Sequence, residues 1–321
     1  LLFPLSRLAK WAWVCYNREN STNCDMIRQS GRKPFPGEAR AVLHNIVIGM
    51  KGGGHVSETN TDIGQGAART AEELRRQLAQ MSAAAQVLER TAVDEKSRRY
   101  LAAMDQSICR MLRIVGRLEL SARLGGESPA PLEYSLTDLA QLSRALGERM
   151  GRLLAVIGVE LAVRVPDWMG ALVDEGLIRQ MLMELVANAA KAGRRVTLTL
   201  VQHEMRAVFT VEDDGPGVDL EQLDRLFSSR EESVPDWRRG GVGVAIARRV
   251  ADLHGGALVA DCASGRGLRV VASIPLGMPG ETVCETPALA WDQGGFCEEL
   301  IALSNLLPAK VFGPQDSWRE K

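Results

Sequence analysis

The chain has 321 residues, of which 45% are hydrophobic, and its formal net charge at pH 7 is −1. This length suggests about two domains, and the near-zero charge gives no indication of attraction to nucleic acid or to an anionic membrane surface. The six cysteines show neither a close Cys-x-x-Cys pair nor a metal-ligand spacing, which predicts reduced thiols in the cytoplasm. No run of apolar residues is as long as the ~18 to 20 that a membrane helix needs.

The N-terminal segment, 1–67, is not assigned to a domain because its apolar residues show no periodicity. Lys51 is followed by three glycines, which is what a ribosome-binding site would encode if it were translated. We therefore expect the natural chain to begin near Met50 or Val56, with the upstream part as read-through. An unstructured sensory arm is the alternative.

The next segment, 68–124, carries two runs of apolar residues at alternating steps of four and three, and a predicted turn at 91–96 separates them. Each predicted helix is too thin to bury its apolar stripe alone. We therefore predict that this helical hairpin pairs with the same hairpin of a second chain in a four-helix bundle. A purely structural coiled-coil hairpin is the alternative. The stripes consist of Leu74, Leu78, Met81, Ala85 and Leu88, and of Leu101, Met104, Ile108, Met111, Val115 and Leu118.

A predicted linker, 125–137, leads to a domain over 138–276 that contains an amphipathic helix. Glu184, Asn188 and Lys191 follow helical spacing and share one face of this helix. An amide oxygen suits Mg²⁺, which accepts oxygen ligands and usually bridges phosphates, and the Lys191 ammonium would offset phosphate charge. A solvated polar face is the alternative. The opposite, apolar face is formed by Leu177, Met181, Leu182 and Leu185.

Two alternating strands follow, at 195–201 and 207–212, and the second ends in Asp213. A carboxylate at such a strand end can accept a hydrogen bond from the exocyclic amine of adenine. Gly215 and Gly217 would let the backbone approach a flat ring, because they carry no Cβ. An Asp-Gly pair in a plain turn is the alternative.

A second glycine cluster, with Gly241 and Gly243, opens another predicted helix. Free N–H groups at a glycine-rich helix start bind phosphate well. The rival interpretation is a dinucleotide fingerprint, but that motif requires a strand immediately before it, and the polar stretch 228–237 does not have a strand pattern.

After this helix we predict a last strand pair at 257–262 and 268–274. The tail, 277–321, is predicted to contain one short amphipathic helix at 296–307. The tail offers no residue pattern that indicates chemistry.

Together these residues resemble the catalytic ATP-binding domain of sensor histidine kinases. That domain belongs to the GHKL superfamily, which includes gyrase, the heat-shock chaperone ATPases and the mismatch-repair ATPases. The resemblance is carried by an Asn box at 184–191, glycine boxes at 213–217 and 241–245, and Phe227. It implies an α+β protein in which a dimerising helical hairpin precedes an α/β sandwich that binds ATP.

The resemblance also implies a role for each matching residue. Glu184 becomes the catalytic acidic residue, Asn188 the Mg²⁺ ligand, and Lys191 a phosphate contact. The insert 228–240 becomes a lid over the nucleotide, with Phe227 at its base, and His254 becomes a packing residue rather than a catalyst. The remaining ATP-binding residues implied are Asp213, Gly215, Gly217, Gly241 and Gly243, with Arg230, Arg238 and Arg239 as lid residues.

The hairpin resembles the phosphoacceptor domain of the same kinases but departs from it at the acceptor. Glu72 occupies the position where the family carries the phosphoacceptor His, and Arg76 and Gln77 replace the Thr or Asn and the Pro that follow. The chain has no His between His55 and His203. A carboxylate does not replace a neutral nucleophilic nitrogen near pH 7. We therefore predict that autophosphorylation on the hairpin fails.

The sequence thus predicts a cytoplasmic, homodimeric, ATP-binding protein of the histidine-kinase type, with Mg²⁺ and ATP as cofactors. A response regulator or another signalling protein is the expected partner, and neither nucleic acid nor a membrane is expected. One alternative is a kinase that acts on an acceptor in another protein. The other is a dimeric pseudokinase that uses ATP as a conformational ligand.

Overall fold

The structure is a computed structural model that describes residues 59–91, 94–124, 131–218, 241–261, 267–277 and 297–312. The expected read-through segment, Phe227 and the predicted lid lie outside these residues. None of the helices in the described part of the chain is long and apolar enough to cross a bilayer. The predicted fold class is confirmed, because a helical hairpin precedes an α/β domain.

The hairpin consists of α1 (Thr59–Thr91) and α2 (Glu95–Leu124). The end of α1 at Thr91 and the start of α2 at Glu95 fall within the predicted turn region, 91–96, and α1 begins earlier than the predicted boundary at residue 68. The Asp94 carboxylate accepts a hydrogen bond of 3.1 Å from the Ser97 backbone N–H and so caps α2. Glu95 in the first turn and Arg123 in the last turn complement the helix dipole.

The apolar stripe of α1 divides into two faces in the structure. Leu78 and Ala85 are buried against α2, whereas Leu74, Met81 and Leu88 are 44%, 47% and 55% exposed. These exposed residues recur every seven positions, so they form one continuous seam along the helix. The single hairpin therefore buries only part of the predicted stripe.

The second domain combines helices with two sheets. Its elements are β1 (Ser135–Asp138), α3 (Leu139–Ala155), β2 (Glu160–Arg164), β3 (Gly170–Val173), α4 (Glu175–Ala192), β4 (Arg195–His203), β5 (Arg206–Asp213), α5 (Gly241–Leu253), β6 (Ala257–Asp261) and β7 (Arg269–Pro275). β1 and β3 form a small antiparallel pair, and the main five-stranded sheet has the order β2-β4-β5-β7-β6. Only β2 and β4 run parallel in this sheet.

The core lies between the main sheet and the helices α3, α4 and α5. Alternate residues of the central strands are buried, as expected for strands with one covered face: Val196, Leu198 and Leu200; Ala207, Phe209 and Val211; Val270, Ala272 and Ile274. On α4 the four predicted apolar residues are buried as well. The helix therefore holds its polar residues in a fixed position relative to the sheet.

Residues 297–312 of the C-terminal tail are part of the folded core, which the sequence did not predict. Instead of one helix over 296–307, they form a short α6 (Glu298–Ala302), turns, and a 3₁₀ helix (Ala309–Phe312). The Gln106 amide on α2 donates a hydrogen bond of 2.6 Å to the Leu307 carbonyl oxygen. The Arg110 guanidinium donates one of 3.2 Å to the Ser304 carbonyl oxygen. Because α6 also contacts α3 and α4, the tail joins the hairpin to the second domain.

This packing predicts that the tail contributes strongly to stability. Phe312 is fully buried in the 3₁₀ helix against α2, so Phe312→Ala should lower the free energy of unfolding by about 3–5 kcal/mol. Tyr100→Ala on α2 is the control, because Tyr100 is 67% exposed and should change stability by no more than about 0.5 kcal/mol. Urea denaturation measures both, and equal stability of the two variants would show that the tail is not part of the core.

Candidate functional site

Helix α4 places the predicted polar residues beside both α2 and the start of α5. Its N-terminus is capped by the Asp174 carboxylate, which accepts a hydrogen bond of 3.1 Å from the Leu177 backbone N–H. Glu184 is buried, Asn188 is half-buried and Lys191 is exposed. The three side chains thus follow one another from the interior towards solvent.

Glu184 is the centre of a buried ion-pair cluster. Its carboxylate is only 3% exposed and accepts two hydrogen bonds from the Arg117 guanidinium of α2. The bond from Arg117 Nε to Glu184 Oε1 is 2.8 Å long, and Nη2 bonds to the other oxygen. Such a two-point contact is the strongest arrangement of this pair. A solvated polar face, the alternative for this helix, is therefore wrong for Glu184.

Two further cations face the same carboxylate. Arg113, one turn before Arg117 on α2, has its Nη2 atom 3.7 Å from Glu184 Oε2. Burial lowers the pKa of Arg113, and repulsion by Arg117 lowers it further. The pKa of Lys191 is lowered first by desolvation of its ammonium and then by repulsion from Arg113 and Arg117, although much of that side chain is exposed. The cluster therefore contains more positive than negative charge.

The glycine box at the start of α5 packs directly against this cluster. A Cβ on Gly243 would lie 2.6 Å from Glu184 Oε2, 3.1 Å from Arg117 Nη2 and 3.3 Å from Asn188 Nδ2. The first of these distances is a steric clash, so a side chain at this position would have to displace the Glu184 carboxylate from its place in the cluster. The structure thus brings the Asn box and the second glycine box together, and Gly241 forms the first residue of α5.

The first glycine box forms a loop beside the C-terminal end of α4. Asp213 ends β5, and its Oδ1 accepts a hydrogen bond of 2.9 Å from the Gly215 backbone N–H. Partial burial raises the pKa of Asp213. A Cβ on Gly215 would lie 2.5 Å from the Ala192 carbonyl oxygen, so the loop lies against the backbone of α4.

Asp214, which has no role in the family resemblance, anchors this loop. Its Oδ1 accepts hydrogen bonds from the backbone N–H groups of Arg194, at 2.7 Å, and Arg195, at 2.8 Å. These bonds, together with the Arg195 side chain, lower the pKa of Asp214 to about 2. The carboxylate therefore ties the end of β5 to the start of β4.

Gly267, before β7, is a further loop residue that the sequence did not single out. It has a φ of +71°, and a Cβ there would lie 1.8 Å from the Asp213 carbonyl oxygen. Its N–H donates a hydrogen bond of 2.8 Å to the Gly215 carbonyl oxygen. Gly217, with a φ of +75°, also packs against Gly267, since a Cβ on Gly217 would lie 3.2 Å from the Gly267 carbonyl oxygen. Only glycine fits this contact of backbone on backbone.

His254 has the structural role that the sequence predicted for it. The Asp174 backbone N–H donates a hydrogen bond of 3.1 Å to His254 Nε2, so Nε2 is an acceptor. Nδ1 lies 2.8 Å from the Val250 carbonyl oxygen, which requires a proton on Nδ1. The ring therefore connects the end of α5 with the N-terminus of α4.

The described residues contain no group of three or more His, Cys, Asp or Glu side chains that could hold a metal ion by themselves. Asn188 nevertheless fits a site for Mg²⁺, because its amide end faces the cluster and its buried Nδ2 atom has no hydrogen-bond partner among the described residues. Which amide atom faces the cluster is interchangeable by a flip of the side chain. A metal held there would take its other ligands from phosphates and water.

Two family models match the chain. Residues 173–278 match the model described as histidine kinase-, DNA gyrase B-, and HSP90-like ATPase, and residues 64–127 match the His Kinase A phosphoacceptor domain. The first match includes α4, the glycine boxes and the main strands from β4 to β7. The second includes Glu72 and both arginines of the Glu184 cluster.

Relatives with curated descriptions are sensor kinases. The sensor protein ChvG of Rhizobium meliloti is 27% identical over 233 residues, which cover 66% of this chain and 40% of ChvG. The adaptive-response sensory kinase SasA of Crocosphaera subtropica is 27% identical over 278 residues, which cover 82% of this chain and 72% of that kinase. The chain spans 40% or less of the two ChvG proteins that it matches.

Among solved structures, full-length ShkA in complex with AMPPNP matches with a TM-score of 0.57 and 29% identity. The match covers 67% of this chain and 46% of ShkA. Its extent shows that the similarity is not limited to the ATPase-type domain.

The cluster geometry predicts the effect of removing its negative charge. Glu184→Gln would leave Arg113 and Arg117 buried without a counter-charge, which should lower the free energy of unfolding by about 3–5 kcal/mol. Glu175→Gln is the matched control on the same helix, since Glu175 pairs with Arg179 nearer the surface and should cost less than about 1 kcal/mol. Chemical denaturation measures both, and similar small losses would contradict the central position of Glu184.

Proposed function

We propose, because this chain belongs to the sensor histidine kinase family, that it binds Mg·ATP between α4 and the start of α5. The observation that carries the proposal is the contact of Gly243 with Glu184 and Asn188, which places a glycine-rich helix start next to an amide and a carboxylate. Backbone N–H groups at such a helix start bind phosphate. Adenine would lie at the other end of the site, on the Asp213 loop.

Each predicted site residue has a role in this proposal. Asn188 would hold Mg²⁺, Lys191 would contact phosphate, and Asp213 would accept a hydrogen bond from the adenine amine. Gly215 and Gly217 would shape the loop beside the base, since their missing Cβ atoms let it pack closely on Ala192 and Gly267. Gly241 and Gly243 would present backbone N–H groups to the phosphates. The ShkA structure supports the proposal, because that protein holds an ATP analogue.

The proposed reaction is transfer of the terminal phosphate of ATP to an acceptor in another protein. The first hairpin helix carries an exposed Glu72 where the family carries its phosphoacceptor His, and no His lies between His55 and His203. With a histidine acceptor, ADP would leave as the phosphate moves to the imidazole nitrogen, and Glu184 would act as the base that orients the ring and takes its proton. Both carboxylate oxygens of Glu184 accept hydrogen bonds from Arg117, so this pair must open before Glu184 can take a proton.

A second candidate function is a pseudokinase that binds ATP as a conformational ligand. The same Arg117–Glu184 pair favours it, because a permanently closed pair would leave the site without a base. The two candidates share the nucleotide site and differ in whether phosphate leaves it.

Incubation with γ-labelled Mg·ATP separates these candidates. Alone, the chain should gain no acid-labile, alkali-stable phosphate on its hairpin, because no histidine is present there. With response regulators or with His-bearing hairpins of other kinases from the same genome, we expect label on the added protein. An Asp213→Asn variant, assayed at an ATP concentration that fills only the wild-type site, is the control with weakened nucleotide binding. Binding of ATP without label on any added protein would favour the pseudokinase, and phosphohistidine on the chain itself would contradict the predicted loss of the acceptor.

Replacing Asp213 tests the adenine end of the site. Loss of a charged hydrogen bond costs roughly 1.5–3 kcal/mol, so Asp213→Asn should weaken Mg·ATP binding by about 10- to 100-fold. Burial raises the pKa of Asp213 above 3.8, so the wild-type affinity should fall on acidification at a higher pH than an ordinary Asp predicts. The contribution of this group to the free energy of unfolding should instead rise on acidification, because the folded state takes up this proton more readily than the unfolded state. Calorimetry at several pH values tests this, and an unchanged affinity in the variant would remove Asp213 from the site.

We also propose that the hairpin forms a homodimer through the exposed seam of Leu74, Met81 and Leu88. Met81→Glu places a charge at the centre of this seam and should yield a monomer that remains helical, because a buried unpaired charge is strongly disfavoured. Gln80→Glu, on an exposed position next to it, is the control and should leave the dimer intact. Light scattering at micromolar concentration measures the assembly, and a monomeric wild-type chain would contradict the dimer.

A further inference from the structure

The hairpin brings more positive charge to the cluster around Glu184 than this one carboxylate can balance. Arg113 and Arg117 come from α2, and Lys191 comes from the Asn box on α4. Among the described residues, Glu184 is the carboxylate that acts electrostatically on both Arg113 and Lys191. One carboxylate therefore faces three cations, and Arg117 occupies both of its oxygens.

Arg113 is the cation that this arrangement satisfies least, because its counter-charge, Glu184, already pairs at both oxygens with Arg117. The Arg113 side chain is only 5% exposed, yet Nε, Nη1 and Nη2 have no hydrogen-bond acceptor among the described residues. Its nearest carboxylate oxygen, on Glu184, is 3.7 Å away. A buried guanidinium cannot lose its proton in a protein, so it stays charged. A buried charge without hydrogen bonds is costly, which indicates that an anionic acceptor belongs at this position.

The neighbours of Arg113 indicate what kind of anion fits. Lys191 adds a second cation, and Gly243 adds the N-terminal end of a helix. Each of these groups donates hydrogen bonds or attracts negative charge. Planar forks of N–H donors match phosphate oxygens well.

We propose that Arg113 binds the terminal phosphate of the nucleotide, and that Arg117 is a positioning residue which holds Glu184 and α2 beside it. The proposal rests on the proposed binding of Mg·ATP. It makes the hairpin helix part of the nucleotide site of its own chain. The affinity for a triphosphate would then depend on the position of the hairpin, whereas the affinity for the adenosine end would not.

The test compares nucleotides of different phosphate length in the full chain. Arg113→Gln should weaken Mg·ATP binding by about 10- to 100-fold, as expected for one charged hydrogen-bond contact. Mg·ADP binding should fall much less, and adenosine binding should not change. Arg113→Lys keeps the charge but loses the fork, so its affinity for Mg·ATP should be intermediate. Arg99→Gln is the control, because Arg99 is an exposed arginine on the same helix.

Stability measurements separate this role from a defect in folding. Without nucleotide, Arg113→Gln should be at least as stable as the wild-type chain, because it removes an unsatisfied buried charge. An unchanged ratio of ATP to ADP affinity in this variant would overturn the proposal. Tighter ATP binding in this variant would overturn it as well, since the Arg113 side chain would then hinder the binding of phosphate rather than support it. A wild-type chain that binds no nucleotide would instead contradict the proposed function itself.

Discussion

The burial of the Glu184 carboxylate is the constraint on which the arrangement of the two domains depends. An ionised carboxylate in the interior requires a partner, and Arg117 supplies it from the hairpin rather than from the domain that carries Glu184. The docking of the hairpin on α4 and α5 therefore supplies the positive charge that balances the buried Glu184 carboxylate. The C-terminal tail supports the same docking, since it accepts hydrogen bonds from Gln106 and Arg110 and packs on both domains.

The sequence predicted those parts of the fold that depend on local pattern. Alternation located β4 and β5 within two residues at each end, and helical spacing placed Glu184, Asn188 and Lys191 in order along one helix. The partner of Glu184 was not predictable, because Arg113 and Arg117 are distant in sequence and their spacing on α2 is equally compatible with a solvated face. The role of Gly267 was not predictable either, since its contact with the Asp213 backbone exists only after β5 and β7 pair. The tail carried only a weak helical signal.

The hairpin resembles the phosphoacceptor domain of histidine kinases, but some of its residues do not fit the role of an acceptor. It matches the phosphoacceptor domain, yet the chain has no His between His55 and His203, and the hairpin supplies two arginines to the cluster around the Asn box. If the hairpin has no phosphoacceptor, as we propose, it does not have to leave the nucleotide site to bring a phosphohistidine to a partner. The structure is consistent with that difference, because Arg113, Arg117 and the tail all hold the hairpin in place. The kinase and pseudokinase functions then differ mainly in whether the Arg117–Glu184 pair opens.

A crystal structure of the full chain with Mg²⁺ and AMPPNP tests this account most directly. We expect the triphosphate between α4 and the start of α5, with the adenine on Asp213 and the Arg113 guanidinium in hydrogen-bonding distance of the terminal phosphate. Glu184 should remain in contact with Arg117. A nucleotide bound at this position with the hairpin displaced and both arginines in solvent would contradict the claim that the hairpin and the ATPase-type domain form one site.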